Sequence, residues 1–303
     1  VAPNPDFGAV FTYYLKDGLK SQKEQRQEKE KSIAPNTNVP FPGWEALEDE
    51  RNEQTPKIWI SITDSNGKVI RRINGPVKSG FHRIAWDLNY PVPNAIDLKR
   101  PATDDDDDST PSSLLAAPGS YTAQLYRDMG GMVTPLSEPQ TFEVVPLYDG
   151  ALESADRMAA VSFYREYEAA YKVSTALQIE IKNALNTIEK MQLALTRSHA
   201  PMGELDQRLS TLRSSLYKLD SRFSGNKAMS QPGEKTKPTI SERLSNVNRG
   251  ISRSTYGPTG TNRTTLRLVN EQLQQTQNHL NQLQTEMDTI IEDLVESGAP
   301  FIK

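Results

Sequence analysis

The chain has 303 residues, enough for two domains that each bury a core. Its 35 basic and 39 acidic side chains give a formal net charge of −4 and are spread along the sequence, which leaves no basic field for nucleic acid. It contains no cysteine, so disulfides, thiolate metal sites and cysteine nucleophiles are excluded, and no stretch approaches the roughly 20 continuous apolar residues of a membrane span.

From Ala9 to about Leu147 short alternating runs separated by turn residues predict an antiparallel sandwich. Phe11, Tyr13 and Leu15 alternate with Thr12 and Tyr14, and Ile58, Ile60 and Ile62 with Trp59 and Ser61, so each run presents one apolar face. Asp64-Ser65-Asn66-Gly67 joins the second run to Val69–Ile73, and its Asn-Gly pair predicts the positive φ angles of a tight hairpin. Further strands are expected at Phe81 to Leu88, Tyr121 to Tyr126 and Thr141 to Val145, about six in all. A charged insertion falls near 16–55. Its Lys16 to Ser32 stretch has almost no apolar residue and reads either as an exposed helix or as disorder, and the Pro-bearing Asn36 to Gly43 reads as an extended loop.

After Asp156 the period changes. Stripes stepping by three or four predict helices near 155–198, 202–224, 239–253 and 262–297. The first carries Val161, Tyr164, Tyr167, Tyr171, Leu177, Ile181, Leu185, Ile188, Met191 and Leu195 on one face. The middle two are each too short to match the outer two. Laid end to end, with Gly225 to Pro238 as a loop, they match the last, which favours three antiparallel rods with the middle one broken over a conventional four-helix bundle. The expected fold is therefore α+β and multidomain: an immunoglobulin/fibronectin-like antiparallel β-sandwich over 1–150, then a long antiparallel helical bundle over 151–303.

The most informative segment is Gly80-Phe81-His82-Arg83-Ile84-Ala85-Trp86-Asp87-Leu88, followed by Pro118-Gly119-Ser120-Tyr121. Trp86 shares a face with His82, Ile84 and Leu88 and reads as a core anchor in preference to a sugar-binding ring, with Asp87 pointing outward or into a turn. Gly119 belongs to a turn that launches a strand with Tyr121, Ala123 and Leu125 inward. These four, Trp86, Asp87, Gly119 and Tyr121, are read as structural residues. The run Asp104, Asp105, Asp106, Asp107 and Asp108 is the weak candidate for a metal site, but it lacks the Gly of a calcium loop and reads as a solvated loop. His82, His199 and His279 have no second ligand at metal spacing, and no phosphate loop, nucleophile elbow or zinc motif occurs. Asn262-Arg263-Thr264 matches a glycosylation sequon and reads as a chance match. No catalytic residue and no cofactor is assigned.

Asn4-Pro5-x-x-Gly8-Ala9-x-Phe11-x-Tyr13-Tyr14-Leu15, the Asp64 to Gly67 hairpin, the Gly80 to Leu88 motif and Pro118-Gly119-x-Tyr121 resemble the C-terminal region of bacterial sortilin-like (BNR-repeat) β-propeller proteins, often labelled glycosyl hydrolases. Tyr256-Gly257-Pro258-Thr259 extends the resemblance, which weakens through the helices. It implies an upstream propeller, export to a secreted, periplasmic or cell-surface location, and a sandwich of the kind that follows secreted catalytic or adhesive domains. The start at Val1, with neither an initiator Met nor a signal segment, fits a processed form or a piece of something longer.

Two functional readings compete. The first is a non-catalytic accessory region acting as a structural spacer or docking module for a protein partner or its own propeller. The alternative is a carbohydrate-binding or glycoside hydrolase component, motivated by Trp44, Trp59 and Trp86. The tyrosines at the start of the first long helix, with Phe301, are expected to form the contact between the two domains.

Overall fold

The computed structural model describes residues 7–34, 37–97, 114–146, 157–252 and 257–300. It is an α+β protein in which every paired strand is antiparallel. Two compact units emerge, Val1–Pro91 with Leu114–Asp149 and Val92–Ser113 with Gly150–Lys303. The second unit thus also takes in the segment from Val92, where the Ala95 amide donates to the Thr175 hydroxyl at 2.9 Å.

The first unit contains β1 (Ala9–Leu15), α1 (Gln22–Lys31), α2 (Trp44–Asn52), β2 (Lys57–Thr63), β3 (Val69–Gly75), β4 (Gly80–Trp86), β5 (Gly119–Met129), β6 (Met132–Pro135) and β7 (Gln140–Val144). β1 pairs with β4 in a two-stranded sheet, and the larger sheet runs β3-β2-β5, with β6 and β7 both paired to β5. β6 takes the Tyr126–Met129 half of β5 and β7 the Gly119–Ala123 half, so they form one interrupted lane. At the interruption the Ser137 hydroxyl accepts from the Leu125 amide at 3.1 Å, replacing a ladder bond near Pro139.

Alternation places Phe11, Tyr13, Ile84 and Trp86 on one face of the small sheet. That face lies on the large sheet, where Phe11 meets Phe142 edge-on with ring centroids 5.4 Å apart and Tyr13 donates to the Pro76 carbonyl at 2.6 Å. Glycine is required twice at this junction. Gly8 has φ +111° and a Cβ there would collide with the Trp86 carbonyl, while a Cβ on Gly75 would sit 2.5 Å from the Tyr13 hydroxyl.

Three details differ from the sequence reading. β2 is buried on both faces, because it is the central strand and Trp59 and Ser61 are covered along with the isoleucines. The Asp64–Gly67 turn uses positive φ only at Gly67, with the Gly67 amide donating to the Asp64 carbonyl at 2.9 Å and the Asp64 carboxylate accepting from Asn66 and Lys68. Asn66 keeps ordinary backbone geometry. β6 was not expected, although Gly130 and Gly131, at φ +61° and +86°, supply the two left-handed residues of a tight hairpin.

Of the two options for Lys16 to Ser32, the structure takes the helix. α1 has no buried residue, and its support is polar: a capping box of Ser21 and Glu24, then Arg26 bonded to Glu30 and, through two nitrogens, to Glu50 of α2.

The second unit contains α3 (Arg157–Leu195), α4 (Glu204–Ser224), the one-turn α5 (Lys227–Ser230), α6 (Ile240–Ser252) and α7 (Gly260–Glu296). α3 and α7, at 39 and 37 residues, pack on each other and on both α4 and α6. They run in the same direction, since the Arg263 guanidinium lies over the Phe163 ring near their starts and the His199 amide bonds the Ser297 carbonyl beyond their ends. Only the middle lane is antiparallel to its neighbours, as the Arg208–Asp293 ion pair and the Arg222–Thr276 hydrogen bond show. Three lanes in sequence, each reversing the one before, return the third to the direction of the first, as expected of three antiparallel rods with the middle one broken.

A seven-residue repeat runs the length of each lane. On α7 the buried residues step from Asn262 through Leu266, Val269 and Leu273 to Leu283 in alternating fours and threes and resume at Ile290 and Leu294, with half-buried Met287 at the position between. On α3 the buried line is Phe163, Tyr167, Ala170, Ser174, Leu177, Ile181, Ala184, Ile188 and Met191, while Val161, Leu185 and Leu195 are half-buried. Tyr164 is buried beside Tyr167, and Tyr171 is half-buried; their rings stand 5.8 Å apart in series, and burial pushes the Tyr167 phenol well above its usual range. Phe301 lies outside the described residues. Glu168, beside this series, is buried, which alone raises its pKa, but bonds from Lys172 and Arg165 outweigh that and hold it below the usual carboxylate range.

Candidate functional site

Trp86 is fully buried, at 0% exposure, and its indole N–H donates to the Asn89 carbonyl at 3.0 Å. Its ring meets Tyr121 and Phe142 edge-on, at 5.5 and 6.2 Å, and the Tyr121 hydroxyl closes the node by donating to the Ala117 carbonyl at 2.7 Å. Asp87 turns the chain: its carboxylate accepts from the Asn89 amide at 3.0 Å, and Leu88 takes a left-handed φ of +59°. Gly119, at φ +154°, opens β5 with free space around it. The node joins the two sheets and exposes no reactive group.

Of the other tryptophans, Trp59 is 8% exposed, stacked on Tyr126 with Arg72 over its ring, whereas Trp44 is 78% exposed and contacts Phe41 edge-on. A second exposed aromatic pair, Tyr14 and Phe81, lies on the outer face of β1 and β4 with centroids 4.8 Å apart.

A concavity lies in the second unit, where the middle lane breaks. Phe223 ends the buried line of α4 and Ile240 begins that of α6. Ile240 lies 17 positions after Phe223, one three-residue step plus two whole seven-residue repeats, so α6 re-enters the lane in phase. The residues between are looped out. Gly225 ends α4 at φ +75°, the Asn226 side chain accepts from the first amides of α5, and Thr239 and Glu242 form a capping box at the start of α6. Gly225, Asn226 and Thr239, together with Gln272 and Gln275 of α7, line a cleft of about 580 Å³.

Its walls carry Arg222, Lys235 and Lys237 and no carboxylate. Arg222 is half-buried; it donates to the hydroxyl of fully buried Thr276 at 3.0 Å and has no ion pair among the described residues. Gln272 has a buried side-chain oxygen without a partner. The arrangement can hold an anion and add amide and hydroxyl contacts. No sequence motif announces it, because its cations, at Arg222, Lys235 and Lys237, and its amides, at Gln272 and Gln275, lie on segments far apart in the chain, and the signal is the in-phase spacing of Phe223 and Ile240.

Asp104 to Asp108 lie outside the described residues, as do Asn4, Pro5 and Tyr256. Among the described residues no group of three His, Asp or Glu side chains could hold a metal ion, and no helix is long and apolar enough to cross a membrane. Asn262 of the sequon is buried in the first turn of α7, against Gly250. Compared with known proteins, the chain matches no family model, no curated protein and no solved structure.

Proposed function

We propose that the chain is a non-catalytic accessory region of a secreted bacterial propeller protein, acting as a structural spacer or docking module. In this reading the first unit is an immunoglobulin/fibronectin-like β-sandwich and the second a long helical bundle. The parentage is supported by the resemblance of the segments Asn4 to Leu15 and Gly80 to Asp87 to sequences that follow such propellers. The observation that carries the spacer role is the seven-residue repeat that runs from Asn262 to Leu294 on α7, matched along α3 and resumed in phase by α6. A repeat kept for that length stiffens a rod, whose ends then hold a fixed separation.

The chain has no cysteine, so two introduced ones label it cleanly. Spin labels at Thr264→Cys and Glu292→Cys, both exposed on α7, are expected to give one narrow distance distribution near ~42 Å, the rise of the intervening residues. A broad or much shorter distribution in pulsed dipolar spectroscopy rejects the rod.

A further inference from the structure

We propose that the cleft at the break between α4 and α6 binds an acidic peptide segment of a partner protein. This rests on the docking half of the reading above, and the spin-label distance tests the spacer half, so the two fail separately. A lane that resumes in phase has no packing need for the residues looped out of it. Excess chain placed on a rigid support, with its own short helix and caps, is where binding residues are expected.

The chemistry of the walls fixes the ligand class. Arg222 is half-buried with only the Thr276 hydroxyl as partner, which leaves most of its fork of donors for an incoming carboxylate. Lys235 and Lys237 are exposed on the segment leading into α6 and add two more cations, while Met229 and Pro238 provide apolar wall. Gln272 brings an amide whose buried oxygen lacks a donor, and the exposed side chain of Gln275 also lines the cleft. A peptide answers both needs, with side-chain carboxylates for the cations and backbone N–H groups for the amide oxygen. A sulfate or phosphate offers acceptors only to that oxygen. A sugar ring has no aromatic face here to stack on, since the cleft is lined without Trp, Tyr or Phe.

The test is fluorescence anisotropy with the full chain and a fluorescein-labelled peptide carrying a run of glutamates between Gly-Ser flanks, with the glutamine version as control. Saturable binding to the glutamate peptide is expected, weakening as NaCl rises from about 50 to about 200 mM. The Lys235→Gln/Lys237→Gln variant alters only exposed side chains and should keep its thermal melt at 222 nm while binding about tenfold more weakly. Arg222→Gln should weaken binding as well. Equal binding of the glutamine peptide, no binding by the parent chain, or an unchanged affinity in the double lysine variant each overturns the proposal. So does binding of a sulfated oligosaccharide through the same lysines when the glutamate peptide does not bind.

Discussion

Trp86→Ala is expected to lower the unfolding free energy of the first unit by about 3–5 kcal/mol, the range for truncating a fully buried large aromatic. Three losses combine. The cavity left between Tyr121 and Phe142 has no flexible neighbour to fill it, since Tyr121 is tied by its hydroxyl to Ala117. The Asn89 carbonyl loses its donor. The end of β4 also loses the anchor that holds it against the Asp87 turn and the Gly8 backbone. Urea unfolding followed by tryptophan emission measures this directly, because Trp44, Trp59 and Trp86 all lie in the first unit and buried Trp59 remains as reporter. Trp86→Phe keeps much of the packing but not the indole donor, and should cost less. An unchanged midpoint in Trp86→Ala would remove the node as the link between the sheets.

Leu280→Ala should cost about 2–5 kcal/mol in the helical unit. Leu280 is fully buried on the α7 line, on the face that packs against α3 and α4. Residues in such a layer are held by backbones that cannot collapse inward without breaking the repeat above and below, so the cavity persists. Ellipticity at 222 nm during denaturation follows the loss. Leu193→Ala, on the exposed side of α3, serves as the comparison and should stay within about 0.5 kcal/mol of the parent. Equal effects at the two positions would show that the repeat does not mark the packed face.

How far the sequence anticipates these features varies with the signal. On α4 every third or fourth residue is a leucine or Phe223 and nothing competes with them, so spacing and buried face coincide. On α3 the largest residues mislead. A stripe followed by size passes through Leu185, but a repeat of seven keeps phase through Ala184, which is buried where Leu185 is only half-buried; past Met191 the buried residue is Ala194, three residues on, and Leu195 is half-buried. In β2 alternation identifies a strand but not its neighbours, and pairing with both β3 and β5 is what buries Trp59. α1 is amphipathic in no useful sense, and its evidence lay in the Ser21-x-x-Glu24 cap and in a partner, Glu50, two dozen residues away. The Trp86 node was legible because a single strand carries the anchor. The cleft was not, because its residues meet only when α7 is folded beside the break.

The two-repeat excursion between Phe223 and Ile240 separates two kinds of inheritance in one chain. Removing Gly225 to Pro238 leaves Ile240 three residues after Phe223, the step by which the buried line would have continued. The segment therefore behaves as a cassette: its composition can drift, or be exchanged for another, while the scaffold on either side keeps its alignment. The looped segment and the helices that flank it can then vary in length and composition without disturbing one another's register.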